Sequence, residues 1–199
     1  MRKYHIEFVH NAICENKNEI YDSLLWKLWV EENIISPDIF QYLTEKDFIK
    51  VLAFTKENFV NISKISLINS FLFSNSRESI KSIIPTMLNF ILKNDYELGL
   101  EIIRENIRKA NAHLISDFTD KIIELKDKSF IELLFERFET ESHPRIYLAI
   151  AKALISYQDD AINKRVLETR KINDNLNQGW GSKDFNILLK NNDIHNSER

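Results

Sequence analysis

Three stretches of the chain fall into register at a spacing of thirty-two residues, and a period of that length leaves few folds open. Asp95, Asp127 and Asp159 each precede a segment of helical spacing. At offsets of three, seven and eight residues the apolar positions recur: Leu98, Ile102 and Ile103; Phe130, Leu134 and Phe135; Ile162, Val166 and Leu167. The segments before the aspartates keep the same register through Phe90-Ile91, Ile122-Ile123 and Leu154-Ile155. Each period thus holds two helices too short to bury their own apolar faces, so neighbouring periods must stack to make a continuous core. The expectation is an all-α fold, a short α-solenoid of stacked antiparallel helix pairs.

Composition agrees with that class. Three glycines and three prolines in 199 residues leave little material for tight turns, and no Asn-Gly or Asp-Gly pair is present to close a β-hairpin. A formal net charge of −3 argues against a general nucleic-acid binder. Cys14 stands alone, which excludes an internal disulfide and suits a reducing compartment. Met1-Arg2-Lys3 resembles the start of a signal peptide, but His5, Glu7 and His10 interrupt any apolar continuation. No apolar run approaches the roughly 20 residues of a membrane span. The expected location is the cytoplasm, with no membrane contact.

Along the chain, helices are expected over 3–15 (Ile6, Val9 and Ile13 on one face) and 17–32 (Ile20, Leu24, Leu25, Leu28 and Trp29). The stretch from Asn33 to Pro37 breaks the pattern, because a residue before proline avoids the helical region. A short piece around Ile39-Phe40 follows, capped by Ser36 or Asp38, and Thr44 with Asp47 resembles a capping box for a helix through Phe48, Val51 and Phe54. Apolar residues from Val60 to Phe73 lead to a loop at Ser74-Asn75-Ser76. Pro85 should kink the next helix or mark its start. Ser142-His143-Pro144 reads as a helix start, with Ser142 as cap and proline in the first turn. One domain is expected: N-terminal helices over 1–75, three helix-pair repeats over 76–172, a capping segment over 173–190 and a flexible tail over 191–199. Within the cap, Gly179-Trp180-Gly181 interrupts the pattern before a short helix through Phe185, Ile187, Leu188 and Leu189.

The stretch from Ser142 to Leu154, with Pro144 and Arg145 near its start and Ala149, Ala151 and Ala153 before Leu154, resembles the first helix of a HEAT-type repeat. The Asp159-Asp160 step resembles that repeat's inter-helical turn. The likeness covers about residues 79–172 and lacks its alanines in the other units, the middle one having Asp117, Asp120 and Lys121 in the matching stretch. It implies a right-handed superhelix of the HEAT or ARM kind and, by analogy of fold, protein or peptide recognition more often than catalysis.

Candidate chemistry is sparse. Glu7 and His10 form one Glu-x-x-His step, but a di-iron site needs a second copy and two further carboxylates. Asp117, Asp120 and Glu124 share a helix face without histidine or cysteine and read as a solvated acidic stripe beside Lys121. No nucleophile elbow, phosphate-cradling loop or Cys-x-x-Cys occurs. Cys14 reads as a half-buried hydrophobe, His113 and His143 as residues near helix starts. Neither an enzyme, nor a cofactor, nor a metal is expected. Of Trp26 and Trp29, one should be core and the other partly exposed, whereas Trp180 between glycines is either a binding anchor or folded over the last repeat.

Charge supplies the remaining signal. The second helices carry Glu97, Glu101 and Glu105 in one unit and Glu132, Glu136 and Glu139 in the next, while Lys164, Arg165, Arg170 and Lys171 reverse the sign in the last. Stacking would set the acids side by side as a ridge that attracts a basic partner. In being small, single-domain, mildly acidic and free of catalytic motifs, with an Ile-, Lys- and Asn-rich composition, the chain is similar in kind to bacterial immunity proteins against contact-dependent or polymorphic toxins. That resemblance implies a one-to-one protein complex in which a basic nuclease domain is sterically blocked, with Trp180 as an aromatic anchor and no nucleic acid bound. Two other readings stand beside it. One is an adaptor holding a helical peptide in the groove of the solenoid. The other resembles the HEAT-like alkylpurine DNA glycosylases, which need a basic concave face that this charge balance does not favour.

Overall fold

A computed structural model describes residues 20–31, 37–57 and 83–194. The helix expected over 3–15, the Glu7–His10 pair, Cys14, the break at 33–36, the apolar stretch and loop over 60–76 and the last five residues lie outside these. Every regular element among the described residues is helical, and none is long and apolar enough to cross a membrane. The chain divides into two compact units, Met1–Gly99 and Leu100–Arg199.

In the first unit, α1 (Ile20–Val30) packs on α2 (Pro37–Lys46), followed by helical residues 48–57 (α3), α4 (Ile83–Asn94) and the start of α5 (Tyr96–Lys109). Trp29 is buried and stacks on the half-buried Trp26 at 5.4 Å, with Phe40 and Phe54 meeting it edge-on. Such pairs prefer these geometries because the ring face is negative and the edge positive. The cap of α3 is Asp47, whose Oδ1 accepts from the Lys50 N–H at 3.1 Å. Thr44 does not open that helix: α2 runs through it, and its hydroxyl donates back to the Phe40 carbonyl. Pro85 stands in the first turn of α4, where its missing N–H costs nothing.

The second unit contains the rest of α5, then α6 (Ile115–Leu125), a 3-10 turn (Lys128–Phe130), α7 (Ile131–Phe138), α8 (Pro144–Ile155), α9 (Asp160–Ile172), a second 3-10 turn (Asp174–Asn177) and α10 (Gly179–Asn191). α8 is the hub and packs on α6, α7, α9 and α10. Its alanines account for the close approach, Ala151 and Ala153 being fully buried beside Ile150 and Leu154. The N-cap of α8 is His143, one residue later than Ser142, and the Glu141 carboxylate accepts from the backbone N–H groups of both.

The thirty-two-residue period has a physical cause at each aspartate. Asp95 accepts from Leu98 N, Asp127 from Ser129 N, and Asp159 from Ala161 N and Ile162 N, so all three satisfy donors left over at a helix start. The residue before the cap repeats too, Lys126 and Gln158 both taking left-handed φ of 54°. Of the nine apolar positions that define the period, seven are buried and only Leu98 and Leu167 are half-exposed, as a core stripe requires.

Bonds between corresponding positions then join successive helix pairs of the second unit. Tyr157 Oη donates to the Asp127 carbonyl at 2.6 Å, and Lys126 Nζ donates to the Ser156 carbonyl. At the other end of the pairs, Arg137 donates to the carbonyls of Ile107, in the last turn of α5, and Ala110, just beyond it, and Asn173 Nδ2 to those of Phe138, the last residue of α7, and Glu141. The Arg137 and Asn173 clasps use a side chain of the following pair to satisfy carbonyls at and just beyond a helix end, where intrahelical donors run out. The arrangement is compatible with a helical repeat.

The terminal segment departs from expectation at its start. Gly179-Trp180-Gly181 is the first turn of α10 and no interruption, with Gln178 as N-cap. Phe185 and Leu189 are buried, Phe185 against Phe138 and Tyr147, while Ile187 points away and is 56% exposed.

Candidate functional site

α7 turns Leu133, Leu134, Phe135 and Phe138 into the core, which leaves Glu132, Glu136 and Glu139 on its outer side. These glutamates fall at i, i+4 and i+7, so they share one helix face. Arg165 of α9 reaches them. Its Nη1 lies 2.8 and 2.9 Å from the two oxygens of Glu132, its Nη2 lies 3.2 Å from Glu139 Oε1, and its guanidinium sits 3.9 Å above the Phe135 ring. The hydrogen bond to Glu132, then the one to Glu139, raises the pKa of Arg165 against the opposing effect of burial. A planar cation is thereby gripped from two sides and stacked from below, which lysine could not reproduce. Glu136 has no partner among the described residues, so three carboxylates and one guanidinium leave this face acidic.

The other predicted acids lie on α5. Glu97 and Glu101 are exposed, and Glu105 pairs with Lys109 at 3.2 Å and with Arg108 at 3.8 Å. What α5 presents to the turn before α7 is a cation: Arg104 bonds Ser129 and lies over the Phe130 ring. The predicted ridge is therefore interleaved with Arg104 and Arg165. The signal for Arg165 was in the sequence, since it falls close to one period beyond Glu132, but only side-chain positions reveal a fork between two acids.

Trp180 is 54% exposed and stands apart from the acids. It lines an open hollow of about 570 Å³ with Arg145, Leu148, Ala149 and Lys152 of α8 and with Ala112, His113 and Ser116 at the start of α6. In the sequence Arg145 figures only in the repeat resemblance, and Lys152 belongs to no motif. Their spacing with Leu148 and Ala149, i, i+3, i+4 and i+7, marks a second stripe on α8 beside its core stripe.

The acidic stripe of α6 is matched within the molecule. Asp120 pairs with Lys152 at 3.0 Å, and Glu124 pairs with Lys121. Lys121 is itself buried rather than lying on the surface beside the acids, and burial lowers its pKa. No group of three or more His, Cys, Asp or Glu among the described residues is placed to hold a metal ion. Comparisons of the chain with models of known protein families, with characterised proteins and with solved structures return no match.

Proposed function

We propose that the chain is a partner-binding helical-repeat protein whose helix pairs 115–138 and 144–172 stack as turns of a right-handed solenoid, and whose acidic α7 face receives a cationic protein. The observation that carries this reading is the seat of Arg165: Glu132 and Glu139 hold a guanidinium flat on Phe135, and Glu136 beside them is unneutralised. A surface that binds one arginine of its own chain has the chemistry to bind those of another. Its net negative potential would speed the approach of a basic partner.

Within that reading the sharper proposal is an immunity protein. It would act in the cytoplasm, one-to-one, by covering the cationic substrate groove of a nuclease toxin while adding no catalysis of its own. Recovery of a tagged copy from its native host tests this directly. A stoichiometric basic partner whose nuclease activity disappears in the complex is the expected result, and reversing Glu132, Glu136 and Glu139 to lysine should weaken the complex at least about a hundredfold. Unchanged affinity of the reversed variant would move the interface elsewhere, and partners without toxic activity would remove the immunity reading while leaving the binding one.

A further inference from the structure

The hollow between α6, α8 and α10 has the opposite sign to the α7 face and is built differently. Arg145 and Lys152 stand at its two ends, seven residues apart on α8, so their Cα atoms are separated by about 10 Å along the helix axis. Leu148 and Ala149 lie between them on α8, and with Ala112 they give the hollow an apolar lining. Trp180 forms a wall at the first turn of α10, exposing an indole that the fold does not use for its core. His113 and Ser116 edge the other side. No carboxylate lines the hollow, and Arg145 has no ion-pair or hydrogen-bond partner among the described residues. Lys152 is held by one acid, Asp120, in a pair whose members are each 59% exposed and so exchangeable.

We propose that this hollow binds an acidic peptide segment of a partner protein, independently of the α7 face. An apolar side chain of the peptide lies on Leu148 and Ala149 against Trp180. A carboxylate to one side of it pairs with Arg145, and one to the other side displaces Asp120 from Lys152. The roughly 10 Å between their Cα atoms along the helix matches about three residues of an extended peptide, where each residue advances about 3.3 Å. A carboxylate reader is favoured over a nucleic-acid reader because two cations are few against the several phosphate contacts that nucleic-acid affinity needs. Trp180 supplies the desolvated anchor that such interfaces concentrate their affinity on.

The displacement step gives a test that loss of fold cannot imitate. The probe is a short fluorescein-labelled peptide with glutamate at every third position and leucine between, titrated at low salt into the full chain and followed by anisotropy. Its controls are the same peptide with lysine for glutamate, and single-stranded oligo(dT). Wild type should bind the acidic peptide alone, Arg145→Glu and Trp180→Ala should weaken it about tenfold or more, and Asp120→Asn should tighten it a few-fold by releasing Lys152. Circular dichroism of each variant checks that these exposed substitutions leave the helices intact. Failure of the acidic peptide to bind, equal affinity for wild type and Arg145→Glu, weaker binding by Asp120→Asn, or preference for the oligonucleotide would each overturn the proposal. None of these results touches Glu132, Glu136 or Glu139, so the reading of the α7 face is judged separately.

Discussion

At the scale of single residues, the most telling group is a hydroxyl with nothing to bond. Tyr147 is fully buried, and its Oη has no hydrogen-bond partner among the described residues. Burial, and secondarily the Asp184 carboxylate, raises its pKa, so the phenol stays neutral. Gly181 is what makes room for it. A Cβ there would run into Tyr147 Oη and would lie 2.6 Å from Pro144 Cβ. Since an unpaired buried hydroxyl costs free energy that its removal returns, Tyr147→Phe should leave the chemical-denaturation midpoint unchanged or raise it by up to about 1 kcal/mol equivalent. Gly181→Ala should cost about 1–3 kcal/mol by overpacking, and adding Tyr147→Phe to it should recover part of that loss. A destabilised Tyr147→Phe would show that the hydroxyl has a partner after all. The sequence pointed to Gly181 as a breaker, but its spatial cause, a tyrosine thirty-four residues earlier, is a tertiary fact.

Elements are set by what lies at their ends. Asp159 caps α9 through two backbone N–H groups, and Gln158 just before it adopts φ of 54° although it is not glycine. The left-handed region crowds a Cβ against the backbone, and glycine removes that crowding. Gln158→Gly should therefore raise stability by about 0.5–1 kcal/mol, while Asp159→Ala should lower it by about 1 kcal/mol. Thermal unfolding followed by circular dichroism compares the two, and a loss of stability in Gln158→Gly would mean that its side chain holds the turn. Lys126, the equivalent residue one period earlier, is a poorer test because its ammonium is bonded to the Ser156 carbonyl. These caps were legible in the sequence as a repeated aspartate. Thr44 misled because its spacing to Asp47 mimics a capping box, yet a hydroxyl inside a helix can return to the carbonyl four residues back instead.

For the molecule as a whole, one bond between successive helix pairs of the second unit, that of Tyr157, couples stability to alkaline pH. Tyr157 joins the turn before α9 to the turn before the 3-10 segment, and burial, then the Asp127 carboxylate, pushes its pKa up to about 12. In the unfolded chain a tyrosine titrates near 10. Below pH ~10 both states hold the proton and the contribution of Tyr157 is complete; as pH rises to about 12, the unfolded state loses the proton first and that contribution disappears. Urea midpoints measured from pH 9 to pH 12 should fall across this window, Tyr147 adding to the slope. Tyr157→Phe should lower stability by about 1 kcal/mol at neutral pH, where the Asp127 carbonyl loses a donor, and should flatten the alkaline decline. An unchanged slope in that variant would assign the decline to other groups.

The sequence by itself determined the helical class, the period, the three capping aspartates and the buried stripe. The helical class, each cap and the buried stripe depend on residues within about two helical turns of one another, where spacing along the chain and spacing in space are nearly the same quantity, and the period is the recurrence of that local pattern. It also identified the acids of α7, because a face of one helix is legible from its period. Tertiary structure alone decided what those acids face. Arg165 enters between Glu132 and Glu139, Lys152 meets Asp120, and Trp180 comes to stand with Arg145 rather than with the glutamates. These partners lie some twenty-six to thirty-five residues apart, and whether a charge is spent inside the molecule or left for a partner depends on angles and rotamers that no one-dimensional pattern records.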